Sequence, residues 1–305
     1  VLLARECIYF SDALRPGFVV SAADWLLATE SFRAPGGPDY EPANRLLTDV
    51  ACQMEPWMDL AAREWQAGRV PLWNPYSGCG VPLLANAQSG VLYPINFIYF
   101  LTRSPHAWVA IALVKLFIAG IGAFLLASEL GLGRLGRWFA GLCFPFSGFV
   151  VVWLQYPMGG VAVWLPMVLW LVERLMQRPS AARAAWLALV LAVMHLGGHP
   201  ETAAHILVVT GILALWRTCT GYSVPSTAAN ARATCGVPQL VKIVPLGWLA
   251  LAVTISFVVA AVQLVPTAEY LRHSQAWVER AAEVRSPLEF RKPQLLAMPA
   301  LALPY

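Results

Sequence analysis

The chain has 305 residues, 58% hydrophobic and 12% charged, with 13 tryptophans and a mean hydropathy of +0.60; this balance excludes an ordinary soluble domain and marks an integral membrane protein. Its 21 Lys and Arg against 17 Asp and Glu leave a net charge of +4. No basic block is interleaved with aromatics, which excludes nucleic acid as a partner.

The chain opens on Val1 without a charged n-region and an apolar h-region, and it closes abruptly on MPALALPY. The expectation is a fragment that lacks at least one earlier span and a downstream portion. Residues 41 to 96 form a polar, Pro/Gly-rich stretch ahead of the apolar segments, and they read as an active-site loop. Asp49 leads there, in LLTDVACQMEPW. A carboxylate beside the bilayer could deprotonate an acceptor hydroxyl or bind a divalent cation (Mg or Mn) that holds a phosphate. The alternative is a solvated acid or an N-cap, with Thr48 and Asp49 starting an amphipathic helix through Arg63. Glu55, six residues on, shares the face of Asp49 only roughly. Asp59 and Glu64 read as the solvated side of the same segment.

In PLWNPYSGCGVP the prolines fix φ and the glycines permit tight turns, so Trp73, Asn74 and Tyr76 are expected on a rigid platform suited to a sugar ring or lipid headgroup. An interfacial aromatic anchor is the competing reading. Asn86 and Gln88 add directed hydrogen-bonding groups. The six cysteines follow no metal-ligand spacing and read as unpaired small residues; Cys52 and Cys79 are a pair that an oxidising compartment could join. Residues 91 to 101, with Pro94 and Asn96, are too short to cross a bilayer and read as interfacial or re-entrant.

Apolar runs near 107 to 128, 138 to 155, 160 to 176, 184 to 198, 202 to 217 and 245 to 266 predict six spans. The chain therefore divides into a loop region over 1–106, a bundle over 107–266 and the start of a further extracytoplasmic segment over 267–305. Residues 218 to 240 read as a flexible cytoplasmic loop. Arg134, Arg137, Arg174, Arg178, Arg183, Arg217, Arg232 and Lys242 fall in alternate connections, which should be cytoplasmic. By parity the front loop, Gln155 and Tyr156, and His199 and Glu201 share the outer face, where a site can assemble. Lys115 lies inside a span, where a charge is expensive; it meets a lipid phosphate, snorkels, or pairs with a carboxylate. His199 and Glu201 in GGHPET could contact a phosphate or adjust a neighbouring acid. A zinc site on His195, His199 and His205 is the less favoured reading, because Gly197, Gly198 and Pro200 break any helical register.

LLTD with a following Pro-Trp, GRVPLWNPYSGCGVPLLANAQSGVLYP, FSGFVVVWLQYP and LGGHPET, in that order, resemble the YfhO-like bacterial multispan membrane proteins, relatives of the GT-C glycosyltransferases. The resemblance covers about Asp24 to Glu269. It implies an all-α, polytopic transmembrane bundle of GT-C type in the bacterial cytoplasmic (inner) membrane, with an extracytoplasmic first-loop active site. The implied activity is transfer of a sugar from a polyprenyl-phosphate donor to a cell-envelope polymer or lipid. Asp49 matches the essential acid of the first outer loop in such enzymes, while Gln-Met-Glu at 53–55 departs from a paired-acid pattern. On this reading Asp49 is the base, with Glu55 as its partner and His199 or Lys115 near the phosphate leaving group. A lipid-linked sugar flippase and a non-catalytic envelope assembly factor are the alternatives.

Overall fold

The computed structural model describes residues 2–15, 18–32, 39–42, 44–220 and 239–274. It is mostly helical. A short helix α1 (Leu2–Tyr9) is followed by 3-10 turns at Ala23–Ala28, Glu30–Phe32 and Arg45–Leu47, a π-helical turn (Val50–Met54) and α2 (Glu55–Gln66). A two-stranded antiparallel hairpin follows, β1 (Trp73–Asn74) with β2 (Val81–Pro82), in the register Trp73 opposite Pro82. After α3 (Phe97–Thr102) come α4 (Ala107–Glu129), α5 (Arg134–Cys143), α6 (Gly148–Val152), α7 (Pro157–Ala162), α8 (Leu165–Gln177), α9 (Ala181–His195), α10 (Pro200–Thr220) and α11 (Gln239–His273).

Among the described residues, five helical stretches are long and apolar enough to cross a membrane: Ala107–Glu129, Arg134–Val152, Pro157–Gln177, Pro200–Thr220 and Val244–His273. The sixth expected span is α9, whose 15 residues rise only about 22 Å, short of a hydrocarbon core of about 30 Å. Continuous apolarity of 184–198 disguised this, because Gly197 and Gly198 belong to the turn that follows the helix. The helix α11 runs past residue 266 to His273, with Pro245 and Pro266 inside it. The expected loop beyond residue 220 and the tail beyond residue 274 lie outside the described residues.

Local chemistry sets the helix ends. Gly131 takes a left-handed φ of 80° just past α4, and the Leu132 and Gly131 amides donate to Ala127 and Ser128; this is a Schellman stop. The Ser180 side chain accepts from the Arg183 amide and starts α9. Between helices, close approach replaces large side chains. A Cβ on Gly120 would lie 2.9 Å from the Gly141 carbonyl, so α4 and α5 cross backbone to backbone. The main core joins Val168, Leu175, Leu187, Leu191, Met194 and Ala252 from α8, α9 and α11. Exposed valines at 258, 259, 262 and 265 leave a broad face of α11 apolar, as lipid contact requires.

A second core fixes the front segment. Met58, Leu83, Val91, Tyr93 and Phe100 pack with Ile111 of α4, and Trp65 Nε1 and Gln66 Nε2 of α2 donate to the Val91 and Phe100 carbonyls at 3.1 and 2.9 Å. The 91–101 segment folds as a turn over Pro94–Asn96 and the six-residue α3, too short to cross, as its sequence indicates. Asp59 of α2 also pairs with Arg103 at the end of α3. One end of the bundle gathers the front segment and the turns at 153–157 and 196–200; Glu129 and Arg174 meet at 4.0 Å toward the other.

Candidate functional site

Three connections meet at the first of these ends. Gly198 has φ +89°, and a Cβ there would lie 2.6 Å from the Ala87 carbonyl; the GGHPET turn therefore touches the front segment backbone to backbone. Ala87 itself sits at φ 59°, a left-handed conformation that costs a non-glycine residue about 1–2 kcal/mol. Gly159 is equally constrained, because a Cβ would fall 1.9 Å from the Trp153 carbonyl. Gly198→Ala should therefore cost of order 1–3 kcal/mol, read as a lower midpoint in thermal unfolding. Ala87→Gly should raise it. If Gly198→Ala left the midpoint unchanged, the turn would not be clamped on the front segment.

Among these elements lies a cavity of about 40 Å³, lined by Gln88, Ser89, Asn96, Lys115, Gln155 and Gly160 with apolar Met54, Met58 and Trp108. At roughly 10–15 Å³ per water it holds a few waters, whereas sites for organic ligands run to about 300–1,000 Å³. Lys115 is 6% exposed. Its Nζ donates to the Leu154 carbonyl at 3.1 Å, and among the described residues no carboxylate forms an ion pair with it. An ammonium carries three donors, so one is met by the backbone and the others are left for the contents of the cavity. Of the three sequence readings of Lys115, pairing with a carboxylate and snorkelling to a surface both fail on this geometry.

Gln88, Lys115 and Gln155 of this lining are expected from the sequence; Tyr93, Ser89 and Gly160 are not. The Tyr93 hydroxyl donates to the Gly160 carbonyl at 2.8 Å and accepts from Trp164 Nε1 at 3.0 Å; burial pushes its phenol pKa up, against the Trp164 bond, which lowers it. Asn96 Nδ2 donates to the Gly90 carbonyl at 3.0 Å, and Ser89 Oγ to that of Leu83 at 2.7 Å. The available signal was an Asn and a Tyr inside an otherwise apolar, Pro-broken segment. Asn86 accepts from the Ser89 amide at 2.9 Å; Gln88 is exposed at the cavity rim.

Asp49 is exposed and directly precedes the π-helical turn, with no side-chain cap bond. Of the alternatives to a chemical role, the N-cap is thus not made and the solvated acid stands. Its Oδ1 accepts from Gln53 Nε2 at 3.3 Å. Tyr156 packs against the turn that bears Asp49: its hydroxyl donates to the Leu46 carbonyl, and its ring packs with Val50 and Ala51. Burial, and then the Asp49 charge, raise the Tyr156 pKa. Gln155, its neighbour, lines the cavity.

Other expected site residues have structural work. Both Glu55 oxygens accept from Ser21 Oγ, at 2.9 and 3.0 Å, and Oε1 accepts from the Ala22 amide at 3.1 Å. Burial raises the Glu55 pKa and those two hydrogen bonds oppose the shift. Glu55 thus ties the N-terminal stretch to α2. Asn74, 3% exposed, spends its amide on Ser77 Oγ and the Tyr76 amide, closing its own turn. Trp73 and Tyr76 stand outside the cavity lining. His199 Nδ1 accepts from the Thr202 amide at 3.2 Å, which makes it the cap of α10; burial lowers its pKa, His205 adds to this and Glu201 opposes it. Glu201 is exposed in the first turn of α10.

Cys52 and Cys79 are free. Among the described residues no three His, Cys, Asp or Glu side chains are placed to hold a metal, so the zinc trio does not assemble. With the Glu55 oxygens engaged, the donors around Asp49 do not fit a divalent cation either. The five long apolar helices define a helical membrane protein. No family model, no curated protein and no solved structure matches the chain.

Proposed function

We propose that this protein is a membrane glycosyltransferase of GT-C type that moves a sugar from a polyprenyl-phosphate donor to a cell-envelope polymer or lipid. The observation that carries the reading is Lys115, an ammonium buried in a span and without a carboxylate partner among the described residues, at the bundle end that also bears the exposed Asp49. Intramembrane charges face functional cavities far more often than lipid. The cavity is too small for a sugar, so the sugar lies outside it, over Gln88 and Asp49, with the phosphate toward Lys115.

The Asp49 carboxylate takes the proton of the acceptor hydroxyl. The acceptor oxygen then forms a bond to the anomeric carbon as the bond from that carbon to the phosphate oxygen breaks. The pair of electrons leaves with polyprenyl phosphate, whose charge the Lys115 ammonium stabilises. Direct displacement inverts the anomeric centre, and the Asp49 proton passes to bulk water. The Arg-rich connections at the opposite bundle end support a cytoplasmic assignment for that end and an outer-face site in the bacterial inner membrane.

Asp49→Asn is expected to lower transfer from a polyprenyl-phosphate donor by about 100-fold or more, with expression and thermal midpoint matched to the parent. Equal envelope glycosylation in both would remove Asp49 as the base and turn the assignment toward transport or assembly.

A further inference from the structure

The hairpin at residues 70–82 carries a row of uncovered apolar side chains: Val70, Leu72, Trp73 and Tyr76 are 49, 58, 52 and 78% exposed. It is a built element. A Cβ on Gly80 would lie 2.6 Å from the Trp73 indole, so the ring is seated on Gly80 with its other side open. Such a patch on a chain destined for water would be a liability.

Its position identifies what covers it. The Leu83 amide donates to the Leu72 carbonyl at 2.8 Å, and, one residue on, the Leu84 carbonyl accepts from the buried Gln263 Nε2 of α11. Gln263 lies about 28 Å of helix rise beyond Val244, close to the full thickness of a hydrocarbon core. The first strand of the hairpin is therefore two contacts away from α11 at the depth where lipid tails give way to headgroups. On that helix Val259 and Val262, within a turn of Gln263, are exposed and belong to its lipid-facing surface. Trp and Tyr, with an apolar body and one polar atom, favour this depth over either water or hydrocarbon.

We propose that the 70–82 hairpin is a lipid anchor: Leu72, Trp73 and Tyr76 insert into the bilayer interface beside α11 and hold the front segment at the membrane surface. This does not depend on the transfer reading. It also replaces the expected sugar platform, since Asn74 is consumed by its own turn and neither aromatic borders the cavity.

Cys79, exposed in the same hairpin, provides the probe. With the other cysteines changed to Ser, the full chain is labelled at Cys79 with an environment-sensitive fluorophore and placed in phosphatidylcholine vesicles. The expected result is a blue-shifted emission, quenched strongly by lipids spin-labelled near the headgroup and weakly by lipids labelled near the chain end. Tyr76→Ser with Leu72→Ser, both at exposed positions, should shift the emission back toward its value in water. Emission as in water, quenched by aqueous iodide alone, would overturn the anchor. So would a blue-shifted emission that no spin-labelled lipid quenches, because the hairpin would then be covered by protein.

Discussion

Lys115→Met is expected to abolish sugar transfer, by about 100-fold or more, while leaving the thermal midpoint unchanged or higher. The two effects have one cause. In the folded protein the ammonium is 6% exposed and has one carbonyl partner, so its desolvation is poorly offset. Methionine fills a similar volume without that cost and gives up one hydrogen bond, worth about 1 kcal/mol. A residue kept against stability is kept for what it does. Lys115→Gln refines the test, because its amide can still donate to the Leu154 carbonyl but carries no charge. If the charge is what serves the phosphate, Gln should be as inactive as Met. Activity within twofold of the parent in both variants, together with a lower midpoint, would make Lys115 a structural residue.

Much of this site was legible along the chain, and the physics of each signal explains why. Alternation of Arg-bearing and Arg-free connections brought the front loop, Gln155 and GGHPET together, because a bundle of reversing helices leaves alternate turns at one end. Lys115 stood out as a charge inside an apolar run. What failed was the assignment of side-chain work. Asn74, Glu55 and His199 are polar residues in loops, and the sequence does not distinguish a side chain that serves a ligand from one that satisfies its own backbone. In the fold, Asn74 closes a turn, Glu55 receives Ser21 and Ala22 from more than 30 residues away, and His199 caps α10. Tyr93 and Asn96 were overlooked for the opposite reason: their neighbours are apolar, and only the folded-back 91–101 segment turns them toward Gly160 and Gly90.

The pair of Glu173 and Arg217 should show the largest stability effect in the molecule. Each charge sits near the end of an apolar helix, α8 and α10, with side-chain exposures of 1 and 4% and an Nε to Oε2 distance of 2.7 Å. The second Glu173 oxygen accepts from Gln177 Nε2 at 3.0 Å, and the guanidinium lies 4.6 Å from the Trp216 ring centre. Replacing either partner alone, as in Glu173→Leu or Arg217→Met, breaks the buried pair and should cost about 3–5 kcal/mol. The double replacement removes both charges and should recover most of that loss, which in a double-mutant cycle appears as a strong favourable coupling. If the losses of the two single variants simply add in the double variant, the pair is not coupled. Because the pair lies toward the end of the bundle opposite Lys115, activity per folded molecule should not change. Lys115 and this pair are thus buried charges of opposite kinds: among the described residues one has no counter-charge at the cavity, and the other is paired and holds α8 against α10.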